Sequence, residues 1–329
     1  MAEIEVAVNP GKSSFHIRRA MFILSILLIV LSAIYAHARL MQVGMDYTGS
    51  LVLVDRVFDL SLAVFLTSLA FCIGRAISAQ LKLIFVSLAE EISFSIMLGA
   101  GGIGLGLLLL GLVGMLKPLP VTLYLVLLLV VSRNWALRLY DVTRELLRGI
   151  RTSRQQQVVA TLFVALVSVL VLRAATPPHV ADEAIYHLAV SKSFVAHERV
   201  YPLYDNAAGN MPFLTQMIYT VCLMAKSDIG AKLFSLLLSV AAAFGIYGFC
   251  ARFLSRRVAT LAMFGFFGCG MVVEVAVTTR IDITLACCLF LATTAMMIYF
   301  ETERRGWLYA SALLAGFSFS ISILRQYTF

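Results

Sequence analysis

The stretch SFSIMLGAGGIGLGLLLLGLVGML, residues 93–116, holds 24 consecutive residues without a charge. A helix rises about 1.5 Å per residue and the hydrocarbon core of a bilayer is about 30 Å thick, so a run of this kind is long enough to cross a membrane. It also contains Gly99-Ala100-Gly101-Gly102-Ile103-Gly104, formally a GxGxxG pattern. No strand precedes it, so the dinucleotide-binding reading fails its context test. Gly102 and Gly106 are instead expected to form a small-residue face for close helix packing.

Working outward, the same reading finds apolar runs at 20–36, 57–77, 119–133, 157–173, 230–250, 258–278, 283–300 and 307–323. The expectation is an all-α polytopic membrane protein with about nine spans. Composition agrees: 61% of the 329 residues are hydrophobic, 13% are charged, and mean hydropathy is +0.93. Soluble domains carry about 25% charged residues. A disordered chain, a nucleic-acid binder and a secreted disulfide scaffold are excluded. Cys72, Cys222, Cys250, Cys269, Cys287 and Cys288 lie in apolar stretches without a CxxC pair, and read as small buried hydrophobes.

The first run resembles a secretory signal, with Lys12, Arg18 and Arg19 before it and Ala36-His37-Ala38 after it. Because further spans follow, it is read as an uncleaved first helix. With the N-terminus in the cytoplasm, alternation collects 16 of the 26 Lys and Arg residues on the cytoplasmic side. These include Arg75, Lys82, the six arginines from Arg133 to Arg154, Arg252, Arg256, Arg257, Arg304 and Arg305, as the positive-inside rule requires. The net charge of +8 is therefore read as basic cytoplasmic loops, with no nucleic-acid partner.

A tenth apolar stretch, 211–225, is short and carries Thr215, Gln216 and Thr220. Counting it as a span would move the Arg252–Arg257 cluster outside and Asp282 inside. It is therefore expected to be a membrane-surface or re-entrant helix on the outer side, between the fifth and sixth spans. Residues 134–156 are basic and amphipathic and are expected to lie along the cytoplasmic face. The chain thus divides into a four-span bundle (1–133), this basic segment (134–156), and a module over 157–329 with an outer loop at 174–229.

Two acidic motifs mark where chemistry can sit. In the outer loop, Asp182-Glu183 opens a helix-like run. These carboxylates suit a helix N-terminus, where the dipole favours negative charge, and a carboxylate at the mouth of a membrane cavity can also serve as a general base. The second motif is Thr279-Arg280-Ile281-Asp282, on the outer turn between 258–278 and 283–300. It reads either as a self-satisfied ion pair or as an anion-binding arginine beside a second functional carboxylate. Alternation puts Asp182, Glu183, Arg280, Asp282 and Arg325 on one face. Glu274, inside a span, needs a partner or a wet cavity. His179, His187 and His197 match no strong metal-ligand spacing.

Asp182-Glu183-Ala184-Ile185-Tyr186-His187-Leu188 resembles the first outer-loop motif of lipid-carrier-dependent glycosyltransferases of the C-type membrane fold, which include aminoarabinose transferases and protein O-mannosyltransferases. Further similar stretches are Lys192-Ser193-Phe194, Val200-Tyr201-Pro202-Leu203, Asn210-Met211-Pro212, Ala231-Lys232-Leu233, the basic turn Ala251–Arg257, Thr279–Leu285, Leu314-Ala315-Gly316-Phe317 and Arg325-Gln326-Tyr327-Thr328. The resemblance covers about 157–329.

It implies a glycosyltransferase of the inner membrane, with its N-terminus cytoplasmic and its active site periplasmic. A sugar would move from a polyprenyl-phosphate carrier in the lipid to a hydroxyl-bearing acceptor. Asp182 would be the base, Glu183 its neighbour and Asp282 the second acidic group. Arg280 and Arg325 would hold the donor phosphate, and Tyr186 and His187 would contact substrate. In some members a divalent metal is held, for which Asp182 and Asp282 are the candidates. Family members continue for several more spans, so the chain is expected to be C-terminally truncated. The alternatives are a transporter or flippase for a lipid-linked or anionic solute, and an inactive membrane scaffold.

Overall fold

A computed structural model describes residues 50–151, 153–204 and 213–322. The expected span 20–36, the Asn210-Met211-Pro212 motif and Arg325 lie outside these residues.

Long apolar runs form the long helices α1 (Ser50–Gln80), α2 (Leu88–Leu112), α5 (Arg154–Ala174), α8 (Asp228–Phe253) and α11 (Asp282–Thr302). Serines start several elements. Ser87, Ser153, Ser227 and the Ser255 that precedes α9 (Arg256–Gly268) each accept a hydrogen bond from a backbone N–H in the first turn, satisfying one orphan donor of the helix end. Pro118 opens α3 (Pro118–Ser132), where its missing N–H costs no hydrogen bond. α3 runs through one 3₁₀ turn at Arg133–Trp135 into α4 (Ala136–Arg151). The run Pro118–Gly149 has 32 residues, about 48 Å at helical rise, so its basic second half extends past a hydrocarbon core of about 30 Å. Val142 docks that half on the bundle.

Among the described residues six helices are long and apolar enough to cross a membrane, or seven if a bent pair is one span. Eight of the nine expected spans fall within these residues, so six or seven stand where eight were expected. The run 258–278 is not one straight helix: α9 and α10 (Gly270–Ala276) meet at 74° at Cys269. The run 307–323 appears as α12 (Arg305–Ser322), which is not among the six or seven.

The stretch 211–225 forms α7 (Leu214–Met224), 11 residues and so about 16 Å long, too short to span. The surface placement is corrected, because every residue from Leu214 to Leu223 is buried. The helix lies among α2, α8, α12 and the short α6 (Leu188–Ala196). It begins against Gly104 of α2, where a Cβ would sit 2.3 Å from the Leu214 carbonyl oxygen. It ends near Ser227, whose hydroxyl donates to Asp59 of α1 at 2.5 Å. The helix is thus enclosed by the bundle along almost its whole length.

The helices give the bundle two chemically different ends. At one, Glu91 of α2 is bound by Arg138 of α4 through Nε at 2.8 Å and a terminal nitrogen at 2.6 Å, and by Arg75 of α1 at 3.0 Å. Beside it Glu90 pairs with Arg252 of α8 at 3.1 Å, and Trp307 packs on Phe94 and under Arg252. Arg256, Arg257, Arg304 and Arg305 are exposed near this end. Breaking a buried pair strands its partner charge, at a cost of about 3–5 kcal/mol. Glu91→Ala is therefore expected to cost about 3 kcal/mol, read as a lower unfolding midpoint in detergent, while the solvent-exposed Glu303→Ala leaves the midpoint unchanged. The two acidic motifs lie at the opposite end.

Candidate functional site

The site is built where four segments meet: the loop after α5, the π-helical turn Glu183–His187, the start of α8, and the turn between α10 and α11. π-turns are rare and concentrate at functional sites. This one begins immediately after Asp182.

Glu183 is fully buried, and its two carboxylate oxygens serve different parts of the chain. Oε2 accepts from the N–H groups of His179 at 3.2 Å and Val180 at 3.4 Å. Oε1 accepts from the N–H of Thr279 at 2.9 Å and its hydroxyl at 3.5 Å. One carboxylate therefore ties the first acidic motif to the second, 96 residues away in sequence.

Held by this tie, Arg280 lies between two carboxylates. Its Nε is 3.5 Å from Oδ2 of Asp182 and 3.3 Å from Oδ2 of Asp282. The guanidinium is one-fifth exposed, whereas the Asp182 and Asp282 side chains are 36% and 43% exposed. Asp282 opens α11, where the helix dipole adds to the stabilisation of its charge. The result is a partly open anionic pair with a cation at its centre. Such an arrangement sets two carboxylate acceptors around one guanidinium, and it leaves that guanidinium near any anion that enters.

The other expected residues fall as follows. His187 is buried, with Nδ1 3.2 Å from the Gln216 side chain of α7, and Ser191 donates to its carbonyl at 2.9 Å. Tyr186 is half-buried, its ring 4.2 Å from that of His187. Both belong to the π-turn, and His187 reaches from it to α7. Glu274 is paired with Arg173 at the end of α5, at 2.6 Å, so it joins two helices and stands apart from the Arg280 cluster. His179 faces the Pro177 carbonyl and His197 faces Tyr201, so the three loop histidines do not converge. Among the described residues no group of three or more His, Cys, Asp or Glu side chains is arranged to hold a metal ion. Arg280 moreover sits against both candidate ligands, Asp182 and Asp282, where a dication would meet its positive charge. The donor set as folded does not fit a metal.

Two features received no role in the sequence reading, although Lys232 lies in one of the stretches similar to the family. Lys232 of α8 is fully buried and donates through Nζ to the carbonyl oxygens of Thr176 at 2.8 Å and Pro177 at 3.4 Å. Its signal in the sequence was a lone cation in an apolar run, which in a membrane helix marks a residue with a defined partner. A narrow apolar cavity also lies between α2, α7, α11 and α12, lined by Thr215, Ile218, Thr284, Cys288 and Phe317, and Thr284 is two residues past Asp282. No local pattern announces it, because its walls come from four helices.

Neither the comparison with curated proteins nor that with solved structures finds a match. The chain is a multi-pass membrane protein, and its residues 210–327, which carry Lys232, Arg280 and Asp282, match the model of the family described as dolichyl-phosphate-mannose-protein mannosyltransferase.

Proposed function

We propose that this protein is a membrane glycosyltransferase. It moves a sugar from a polyprenyl-phosphate carrier to a hydroxyl-bearing acceptor, at the periplasmic face of the inner membrane, with the N-terminus in the cytoplasm. The observation that carries the proposal is the meeting of Asp182 and Asp282, a hundred positions apart, on the single guanidinium of Arg280. The family match over 210–327 supports the class of donor.

In the proposed reaction the acceptor oxygen attacks the anomeric carbon. Asp182 takes the hydroxyl proton as the new C–O bond forms. The bond from the anomeric carbon to the carrier phosphate breaks, and its electron pair leaves on the phosphate. Arg280, and Arg325 by its motif position, neutralise that leaving charge. A single displacement of this kind inverts the anomeric centre. Asp282 keeps Arg280 in place and shares its charge. Tyr186 and His187 contact the substrate from the π-turn, which His187 anchors to Gln216 of α7.

The test is reconstitution of the chain in vesicles with polyprenyl-phosphate mannose labelled in the sugar, and with membrane extract as the source of acceptor hydroxyls. The expected result is label in a covalent product together with release of polyprenyl phosphate. Label that crosses the bilayer on the intact carrier, without product, would instead identify a flippase. A chain that gives neither product nor crossing would be the inactive scaffold.

A further inference from the structure

Lys232 and Glu183 are both fully excluded from solvent, inside a segment of the bundle where charge is expensive. The energetic question is what each gains by being there. Glu183 spends its two oxygens on backbone and side-chain donors from 179–180 and from Thr279. Lys232 gives its ammonium to the carbonyls of Thr176 and Pro177. Those carbonyls lie just past the end of α5, and the prolines at 177 and 178 have no N–H with which to build a turn ladder. The two charges also attract each other, with Asp228 adding to the field at Lys232.

We propose that Lys232 and Glu183 form a buried lock whose task is to set the position of Asp182, and that Lys232 is a positioning residue. The lock pins both sides of a short loop. Lys232 fixes residues 176–177 to α8, and Glu183 fixes 179–180 to the Thr279 turn. Asp182, between the second pinned point and the π-turn, is then held within reach of Arg280. Among the described residues its own side chain makes only that longer, partly exposed ion pair, which is too weak alone to order a loop.

The loop-holding part of the inference stands on geometry, while its consequence for turnover rests on the glycosyltransferase reading. The two are separated by measuring amide hydrogen exchange in the full chain in nanodiscs alongside sugar transfer. In Lys232→Met the amides of His179, Val180 and Thr279 are expected to exchange at least tenfold faster, with the interior of α2 and α11 unchanged. Transfer from polyprenyl-phosphate mannose is expected to fall about 100-fold in kcat with little change in KM, since misplacing a reacting group by about 1 Å costs that much. Lys232→Arg, which keeps a donor to the same carbonyls, is expected to restore most of both. Glu183→Gln, which keeps the side-chain shape but turns an amide donor toward N–H groups, serves as the second variant should Lys232→Met fail to fold. It is expected to accelerate the same three amides. Unchanged exchange at all three amides in the folded variants overturns the lock. Accelerated exchange with a wild-type chain that transfers no sugar leaves the lock standing and overturns the enzyme reading instead.

Discussion

Asp182→Asn is expected to lower sugar transfer by about 10²–10⁴-fold, the usual contribution of a positioned general base, with the protein still folded and monodisperse. The structural reason for the second half of that expectation is that Asp182 is not part of the fold's support. It is one-third exposed and its ion pair to Arg280 is 3.5 Å long. Support comes from Glu183 next to it, whose four accepted bonds are untouched by the change. Asparagine keeps the size of the side chain but cannot take a proton at neutral pH. Arg280 then keeps only Asp282 as an anionic neighbour, so an incoming phosphate should bind at least as well as before. The expected kinetic pattern is a loss in kcat with KM unchanged or lower. Transfer at the wild-type rate would move the base elsewhere. Asp282→Asn should be the milder change if Asp282 acts only through Arg280.

Gly99→Leu is expected to prevent assembly of the N-terminal half of the bundle. α1 and α2 cross so closely that a Cβ on Gly99 would lie 1.7 Å from the Ala70 carbonyl oxygen, and one on Gly74 would lie 1.7 Å from that of Ser95. The obstructing atoms are backbone, so no rotamer change relieves them, and the helices would have to separate along their length. Overpacking a tight core costs about 1–3 kcal/mol, and more where backbone must move. The expected result is loss of the monodisperse species in detergent, or an unfolding midpoint lowered by at least that amount. Gly102→Ala is the internal control. Its Cβ would find its nearest neighbour, the Ile77 side chain, at 3.6 Å, and alanine favours the helix by about 1 kcal/mol. It should therefore be neutral or stabilising. Equal damage from the two substitutions would show that crowding at Gly99 is not what limits packing there.

The glycine pair shows how far local reading reaches. The run 99–106 announces close packing, and rejecting it as a nucleotide loop needed only its context. Of Gly102 and Gly106, only the second is tightly packed. Gly106 does sit under the Tyr124 hydroxyl, but Gly102 has ordinary room, and the closest helix approach uses Gly74 and Gly99 instead. Which side of a glycine-rich helix meets its neighbour depends on the crossing of two helices, and one helix carries no record of it. The bent pair at Cys269 has the same character, since hydropathy averages over a bend without registering it.

In the candidate site the two acidic motifs were legible because charges stand out against apolar runs, and because alternation of spans assigns each turn to an end of the bundle. The division of labour between Asp182 and Glu183 was not. Adjacent carboxylates look alike on paper, yet one is a fully buried tie and the other a half-open partner of Arg280. Lys232 was visible as a misplaced cation, without any sign of which atoms it binds.

Sequence alone determined the solvent this protein folds in and the rough bounds of most of its long helices. Those properties add up along the chain from each residue's transfer energy and its own backbone bonds. Tertiary structure decided that 214–224 dips into the bundle, that α9 and α10 bend apart, and that Glu183, Lys232, Arg280, Asp182 and Asp282 meet at one end. A charge buried in a membrane protein is tolerated only where specific partners reach it within a few ångströms, and that distance is a property of how the helices pack.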